Sequence, residues 1–223
     1  VSQQLNRAGH FVTLFERDEY IGGLLRLGIP DFKLEKQLVQ RRVDLMAEEG
    51  VVFKTGVHVG QNLSVDEMRK DFDAVCLTVG ACEPRELNVP GRNLGGIHLA
   101  MEYLAQQNRV IAGNTINPSD IITAKGKRVV ILGGGDTGAD CLGTAHRQGA
   151  EAIYQLELLP QPPESRRSNN PWPQWPVILR TSPAHEEGGI RDYDILTKSF
   201  SGSNGKVEEL HAVRVEWGPV GES

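Results

Sequence analysis

Gly133, Gly135 and Gly138 stand in the spacing Gly-x-Gly-x-x-Gly directly after the apolar run Val129-Val130-Ile131-Leu132. Such an arrangement holds a pyrophosphate. The first glycine permits a tight turn, the second leaves no side chain in the path of a diphosphate, and the third lets the following helix approach the strand. That helix offers free N–H groups and a positive dipole end at its start, where Asp136 and Thr137 complete the candidate nucleotide loop. Ordinary turns also produce this spacing, so its context matters. The strand before it, the helix-forming residues 139–147 after it and the apolar run from Ala152 to Leu159 together predict a βαβ unit of a Rossmann-like α/β fold. A βα turn without a ligand is the competing reading.

Two signals bear on which dinucleotide would bind, and they oppose each other. Glu157 stands roughly 20 residues beyond the loop, where an acid accepts from the 2′-hydroxyl of NADH and repels the 2′-phosphate of NADPH. Arg166 and Arg167 follow in a proline-rich stretch, placed either to pair with that phosphate or simply to be solvated. Among the six histidines, His185-Glu186-Glu187 comes nearest to metal-ligand spacing; a solvated loop is the simpler reading, and no metal site is expected. His58 and His98 read as ordinary structural histidines.

The remaining composition sets bounds. A chain of 223 residues can bury a sizeable core and has room for two partial domains. Its net charge of −5, without runs of like charge, makes neither nucleic acid nor an anionic membrane surface an expected partner. No apolar stretch is long enough to span a bilayer, and a cytoplasmic setting is the plain expectation. Cys76, Cys82 and Cys141 form no Cys-x-x-Cys pair, so each is expected to be a small buried apolar side chain.

Other elements follow from pattern. Ser2 to Ala8 read as the last turns of a helix ending at Gly9, and Phe11 to Phe15 as a strand closing on Glu16. An acid at that place holds a ribose hydroxyl in a Rossmann-type unit, or is a surface acid. Apolar spacing predicts a helix from Phe32 to Gly50, and strands are expected at Val51 to Lys54 and at Asp73 to Val79, the latter ending at Gly80. A short helix is expected at Leu99 to Gln107, and a strand-like return from Lys206 to Trp217 after the turn Gly202-Ser203-Asn204-Gly205. Trp172 and Trp175, set among prolines, predict a stiff loop that either docks a partner or covers a core.

The segment Glu16-Arg17-Asp18-Glu19-Tyr20-Ile21-Gly22-Gly23-Leu24-Leu25-Arg26-Leu27-Gly28-Ile29-Pro30 resembles the flavin-side segment of glutamate synthase small (beta) subunits and their pyridine nucleotide-disulfide oxidoreductase relatives. The resemblance continues through Thr55 to Gly60, Asp73 to Ala81 with Pro84-Arg85, and Val89-Pro90-Gly91, and it covers essentially the whole chain. It implies that Glu16 contacts the ribose of FAD, that the loop carrying Gly23, Leu24 and Arg26 runs beside the flavin, that the backbone of Val59 meets the adenine, and that Gly80 lets backbone approach the cofactor. It also implies a partial FAD-binding domain at residues 1–110 and an inserted NAD(P)H-binding domain at 111–223.

The activity implied is hydride transfer from NADH or NADPH to FAD, with electrons passing on to a large (alpha) subunit that makes glutamate from 2-oxoglutarate and glutamine. A flavin would carry that chemistry, so no side chain of this chain is expected to be catalytic. The first FAD glycine loop, a cysteine-rich iron–sulfur part and a closing flavin segment of that family do not stand in the sequence, which therefore reads as an internal fragment that by itself is expected to be inactive. Asn170-Pro171-Trp172-Pro173-Gln174-Trp175-Pro176 resembles the NADH-linked form of the family, whereas bacterial small subunits look mostly NADPH-linked. The alternatives are a non-catalytic NAD(P)-binding module and another flavin-dependent NAD(P)H oxidoreductase of the same family.

Overall fold

The computed structural model describes residues 1–81 and 83–218; Cys82 and the residues from Pro219 onward, where part of the cysteine and chain-end readings fell, lie outside the described residues. The fold is mixed α/β with parallel strand pairing, as the motifs predict. It divides into two compact units, one of residues 1–84 with 107–115 and one of residues 85–106 with 116–223.

The first unit opens with helix α1 (Ser2–Arg7) and strand β1 (Thr13–Phe15), which pairs in parallel with β2 (Val52–Lys54), Leu14 facing Phe53 across the pair. Parallel strands need a crossover, and helix α2 (Lys36–Glu48) provides it. That helix starts four residues later than its apolar pattern suggests. Pro30 opens a turn in which its carbonyl accepts the N–H groups of Lys33 and Leu34, and Asp31 Oδ1 then accepts the N–H of Lys36 at 3.0 Å, so the chain becomes helical only there. Helix α3 (Val65–Asp71), unmarked by the apolar pattern, is announced by a capping box: Ser64 Oγ accepts the Glu67 N–H, and the Glu67 carboxylate accepts the Ser64 N–H. The last turn of α4 (Ala100–Ile111), longer than expected, belongs to this unit as well.

One expected strand is absent. Asp73 to Val79 joins no ladder among the described residues, and Leu77 and Val79 are more than three-quarters exposed. The only sheet of this unit among the described residues is the β1–β2 pair. An apolar run becomes a strand only where a neighbouring backbone supplies its hydrogen bonds.

In the second unit β3 (Arg128–Leu132), helix α5 (Asp136–Gln148) and β4 (Ala152–Leu156) form the βαβ unit in the expected places, with Val130 opposite Tyr154. After the short helix α6 (Pro183–Glu186), β5 (Ile190–Asp192) adds in parallel on the far side of β4. The core gathers Leu104, Ile131, Leu142, Ala145, Ile153 and Ala184, so one face of α5 is sealed against the sheet. Gly149 in the left-handed region ends α5, as a helix C-terminus favours. The antiparallel hairpin of β6 (Ile195–Ser203) and β7 (Lys206–Arg214) closes through Asn204-Gly205, both at positive φ, as a two-residue turn joining twisted strands requires.

Candidate functional site

The glycine loop lines an open cleft of about 430 Å³ with Gly133, Gly135, Asp136, Thr137, Gly138 and Cys141. Its three motif glycines answer to three different constraints. Gly133 lies at φ +117°, where a side chain is strained whatever the space around it. Gly135, the residue before the first turn of α5, has ordinary dihedrals (φ −79°, ψ −177°), and a Cβ built on it meets nothing within 4 Å. Gly138 is the opposite: a Cβ there would run into Gly133 O and Gln155 Nε2. Helix α5 therefore starts with its backbone N–H groups at an open space and its third residue pressed onto the loop, the arrangement that suits an anionic diphosphate.

Two side chains, one in β4 and one just past its end, grip that loop. Gln155 and Glu157 are two apart and point the same way. Gln155 Nε2 donates to Gly133 O at 2.8 Å, and the Gly134 N–H donates to Glu157 Oε2 at 2.6 Å. These are the two ends of a single peptide unit. The other oxygen of Glu157 accepts the Leu159 N–H at 2.9 Å, which fixes the carboxylate beside the glycine loop. Gln155, 2% exposed, is a residue that sequence reasoning passed over; its signal was a lone amide inside the apolar run Ile153 to Leu159, two residues before Glu157.

His185 also differs from its expected role. It sits half-buried in α6 rather than in a solvated loop, because the buried Ala184 beside it anchors that turn to the core. Its Nε2 lies 2.8 Å from Gln155 Oε1, and its Nδ1 accepts the Ser182 N–H at 3.1 Å.

Arg166 and Arg167 are both exposed. Arg166 Nη1 donates to the carbonyls of Asn170 and Gln174, each at 3.0 Å, and so staples its own proline-rich loop. Trp172 and Trp175 of that loop are 83% and 74% exposed and cover no core among the described residues; Arg180 stacks over the Trp175 ring at 4.2 Å.

Cysteine placement splits. Cys141 is buried as expected, and burial, reinforced by the Asp140 carboxylate, pushes its thiol up to about 12. Cys76 is exposed, contrary to the expectation, because the segment that carries it joins no sheet. Thiolate is the reactive form. Iodoacetamide at pH 8 should therefore alkylate Cys76 while Cys141 stays unmodified over the same time, read by peptide mass mapping; equal labelling would contradict the buried placement of α5.

In the first unit, Glu16 directly follows β1, its N–H donating to Lys54 O, its carbonyl accepting the Val57 N–H at 2.9 Å and its Oε1 accepting the Asp18 N–H at 3.0 Å. The chain thus leads from Glu16 to Val59, which bridges to Leu63. Gly23 lies at φ +51°, where it precedes a single π-helical turn (Leu24–Gly28), and Leu24 is 64% exposed. Arg26 reaches Lys36 O at 3.2 Å and covers the Tyr20 ring at 4.5 Å. Two residues not singled out from sequence hold this loop. Buried Lys36 donates from Nζ to Leu25 O at 3.0 Å and also to Ile29 O. Buried Asn108 donates to Leu27 O at 2.9 Å and Ile29 O at 3.1 Å. Gly80, at φ +70° with open space around it, lies in the exposed segment outside the sheet.

The pattern that defines the pyridine nucleotide-disulphide oxidoreductase family matches residues 2–169. The small chain of an NADPH glutamate synthase from Mycobacterium tuberculosis is 54% identical over 96% of this chain, which covers 44% of that protein. The NADH glutamate synthase of Schizosaccharomyces pombe is 46% identical over 97% of this chain, which covers 11% of that much longer protein. The chain thus spans under half the length of these curated relatives. Among solved structures, FprA of Mycobacterium tuberculosis in complex with NADPH superposes with a TM-score of 0.72 at 17% identity, covering 99% of this chain and 62% of that one. Thioredoxin reductase of Lactococcus lactis gives a TM-score of 0.54 at 14% identity, with 98% and 68% covered. At such identities the structures speak for the fold. No helix among the described residues is long and apolar enough to cross a membrane.

Proposed function

We propose, for a chain that belongs to the pyridine nucleotide-disulphide oxidoreductase family, that it is part of a glutamate synthase small subunit that takes hydride from a nicotinamide dinucleotide. The observation that carries this reading is the glycine loop, with Gly135 open to a cleft at the start of α5 and Gly138 packed beneath it. A diphosphate fits that open side, since backbone donors face it and no side chain fills it.

In this reading residues 111–223 bind the dinucleotide and residues 1–110 supply part of a FAD site, with Glu16, Gly23, Leu24, Arg26, Val59 and Gly80 along it. FAD when bound would accept the hydride; the chain's own residues position and orient. Electrons would leave toward a large subunit that makes glutamate from 2-oxoglutarate and glutamine. The relatives named above support this through their names and their identity across nearly the whole chain.

Glu157, held beside Gly134, favours NADH, because its charge would oppose a 2′-phosphate. Arg166, spent on its own loop, does not offset it. The bacterial relative named for NADPH points the other way, and titration decides. Calorimetry of the chain with NADH and with NADPH should show NADH bound tighter by roughly tenfold, about 1.4 kcal/mol. Tighter NADPH binding would transfer selectivity to Arg166 and Arg167. Binding of neither would overturn the dinucleotide reading.

A further inference from the structure

The loop carbonyl that a nucleotide site must orient is tied to a histidine on another helix. Gly133 O is an acceptor only, so the amide nitrogen of Gln155 faces it, and Gln155 Oε1 is left to face His185. The Ser182 N–H points at His185 Nδ1, which therefore accepts, so the proton of the neutral ring sits on Nε2 and is donated to Gln155 Oε1. Every hydrogen in the chain Ser182 N–H, His185, Gln155, Gly133 O runs in one direction. At the other end of the same peptide, the Gly134 N–H is taken by Glu157.

We propose that Gln155 and His185 are positioning residues for dinucleotide binding, which set the plane of the Gly133–Gly134 peptide through the His185 Nε2–H, the Gln155 amide and Gly133 O. The proposal rests on the dinucleotide reading above. Neither side chain lines the cleft, so neither needs to touch the ligand. A peptide between two glycines has little steric preference of its own, which is why external hydrogen bonds decide its orientation. Released from Gln155, it is held only at its Gly134 N–H by Glu157, so its plane is less firmly set and the N–H groups that follow it lose part of their common aim at a diphosphate.

The test compares four chains by calorimetric titration with NADH and NADPH: the unaltered one, Gln155→Leu, His185→Phe and His185→Gln. A glutamine amide can place its nitrogen where His185 Nε2 stands, whereas phenylalanine keeps the ring volume and loses the donor. Expected are a loss of about 10- to 100-fold in affinity for Gln155→Leu, a loss of roughly tenfold for His185→Phe, and recovery to within about threefold of the unaltered chain for His185→Gln. The Gly134 amide proton should also shift in a 15N-edited spectrum of His185→Phe and return in His185→Gln, a signature that general loosening of α6 would not produce selectively. Unchanged affinity in His185→Phe, or equal losses in His185→Phe and His185→Gln, would overturn the positioning role while the dinucleotide reading stands. Absence of binding by the unaltered chain would overturn both. Should Gln155→Leu fail to fold, the two His185 variants decide the matter between them.

Discussion

Gly135→Val is expected to abolish dinucleotide binding while leaving the chain folded. Two observations make the effect separable from stability. Gly135 has φ −79° and an extended ψ, which any L-residue adopts, and its built Cβ has no neighbour within 4 Å. A valine there costs the fold only the difference between a tolerable and a poor helix N-cap, at most about 1 kcal/mol. Its methyl groups would instead stand in the cleft, in the space proposed for the diphosphate and over the first N–H groups of α5. A ligand whose charge must approach those groups cannot do so across two methyls. The expected loss is about 1000-fold or more, some 4 kcal/mol, which removes measurable binding in a titration. Circular dichroism and a urea midpoint near that of the unaltered chain would establish that the fold survives. Unchanged affinity in the folded variant would remove the phosphate-loop assignment.

Gly138→Ala should have the opposite profile. Within a helix an alanine normally stabilises relative to glycine by about 1 kcal/mol. Here the added Cβ would overlap Gly133 O and Gln155 Nε2, both rigidly held, one by the turn at Gly133 and the other by its hydrogen bonds to the loop and to His185. Relief requires moving α5 off the loop or breaking the Gln155 contact, and overpacking with a lost buried hydrogen bond costs about 3 kcal/mol. Tm should fall by roughly 6–12 °C. Nucleotide affinity should fall with it, because the same shift disturbs the Gly133–Gly134 peptide. A variant as stable as the original would mean that α5 does not pack against the loop as described. Together the two substitutions separate a glycine kept open for a ligand from one kept small for packing, a distinction that the spacing of the motif cannot make.

The elements nearest the loop were legible because local signals agreed. An apolar run, a glycine motif and a helix-forming stretch ending before Gly149 all predict β3, α5 and β4; β3 lies where the run places it, α5 begins three residues earlier than the helix-forming stretch, and β4 ends three residues before its apolar run does. The same holds for Asn204-Gly205, whose two positive φ values follow from the residue types. Legibility fails where an element depends on a partner remote in sequence. Asp73 to Val79 has a strand's composition but no ladder beside it among the described residues, so Cys76 is exposed and not buried. His185 with two following glutamates resembled a loop or a weak metal pattern; its ring instead meets Gln155, 30 residues away in sequence. Lys36 and Asn108 carry no motif at all, yet they hold the carbonyls of the Leu25 to Ile29 stretch.

What the sequence by itself determined is therefore the list of chemistries on offer: a glycine loop able to take a diphosphate, an acid at the proper interval after it, and the family pattern across residues 2–169. Those properties reside in residue types and short spacings, which survive without any tertiary contact. Only the tertiary structure decided how the loop is held. It placed Gln155 of β4 and Glu157 just beyond that strand against the two ends of one peptide, brought His185 behind Gln155, and turned Arg166 into its own loop. The physical reason is that hydrogen-bond direction and burial depend on which distant backbone groups arrive unpaired at a given place, and the order of residues along the chain does not specify that until the sheet and helices have packed.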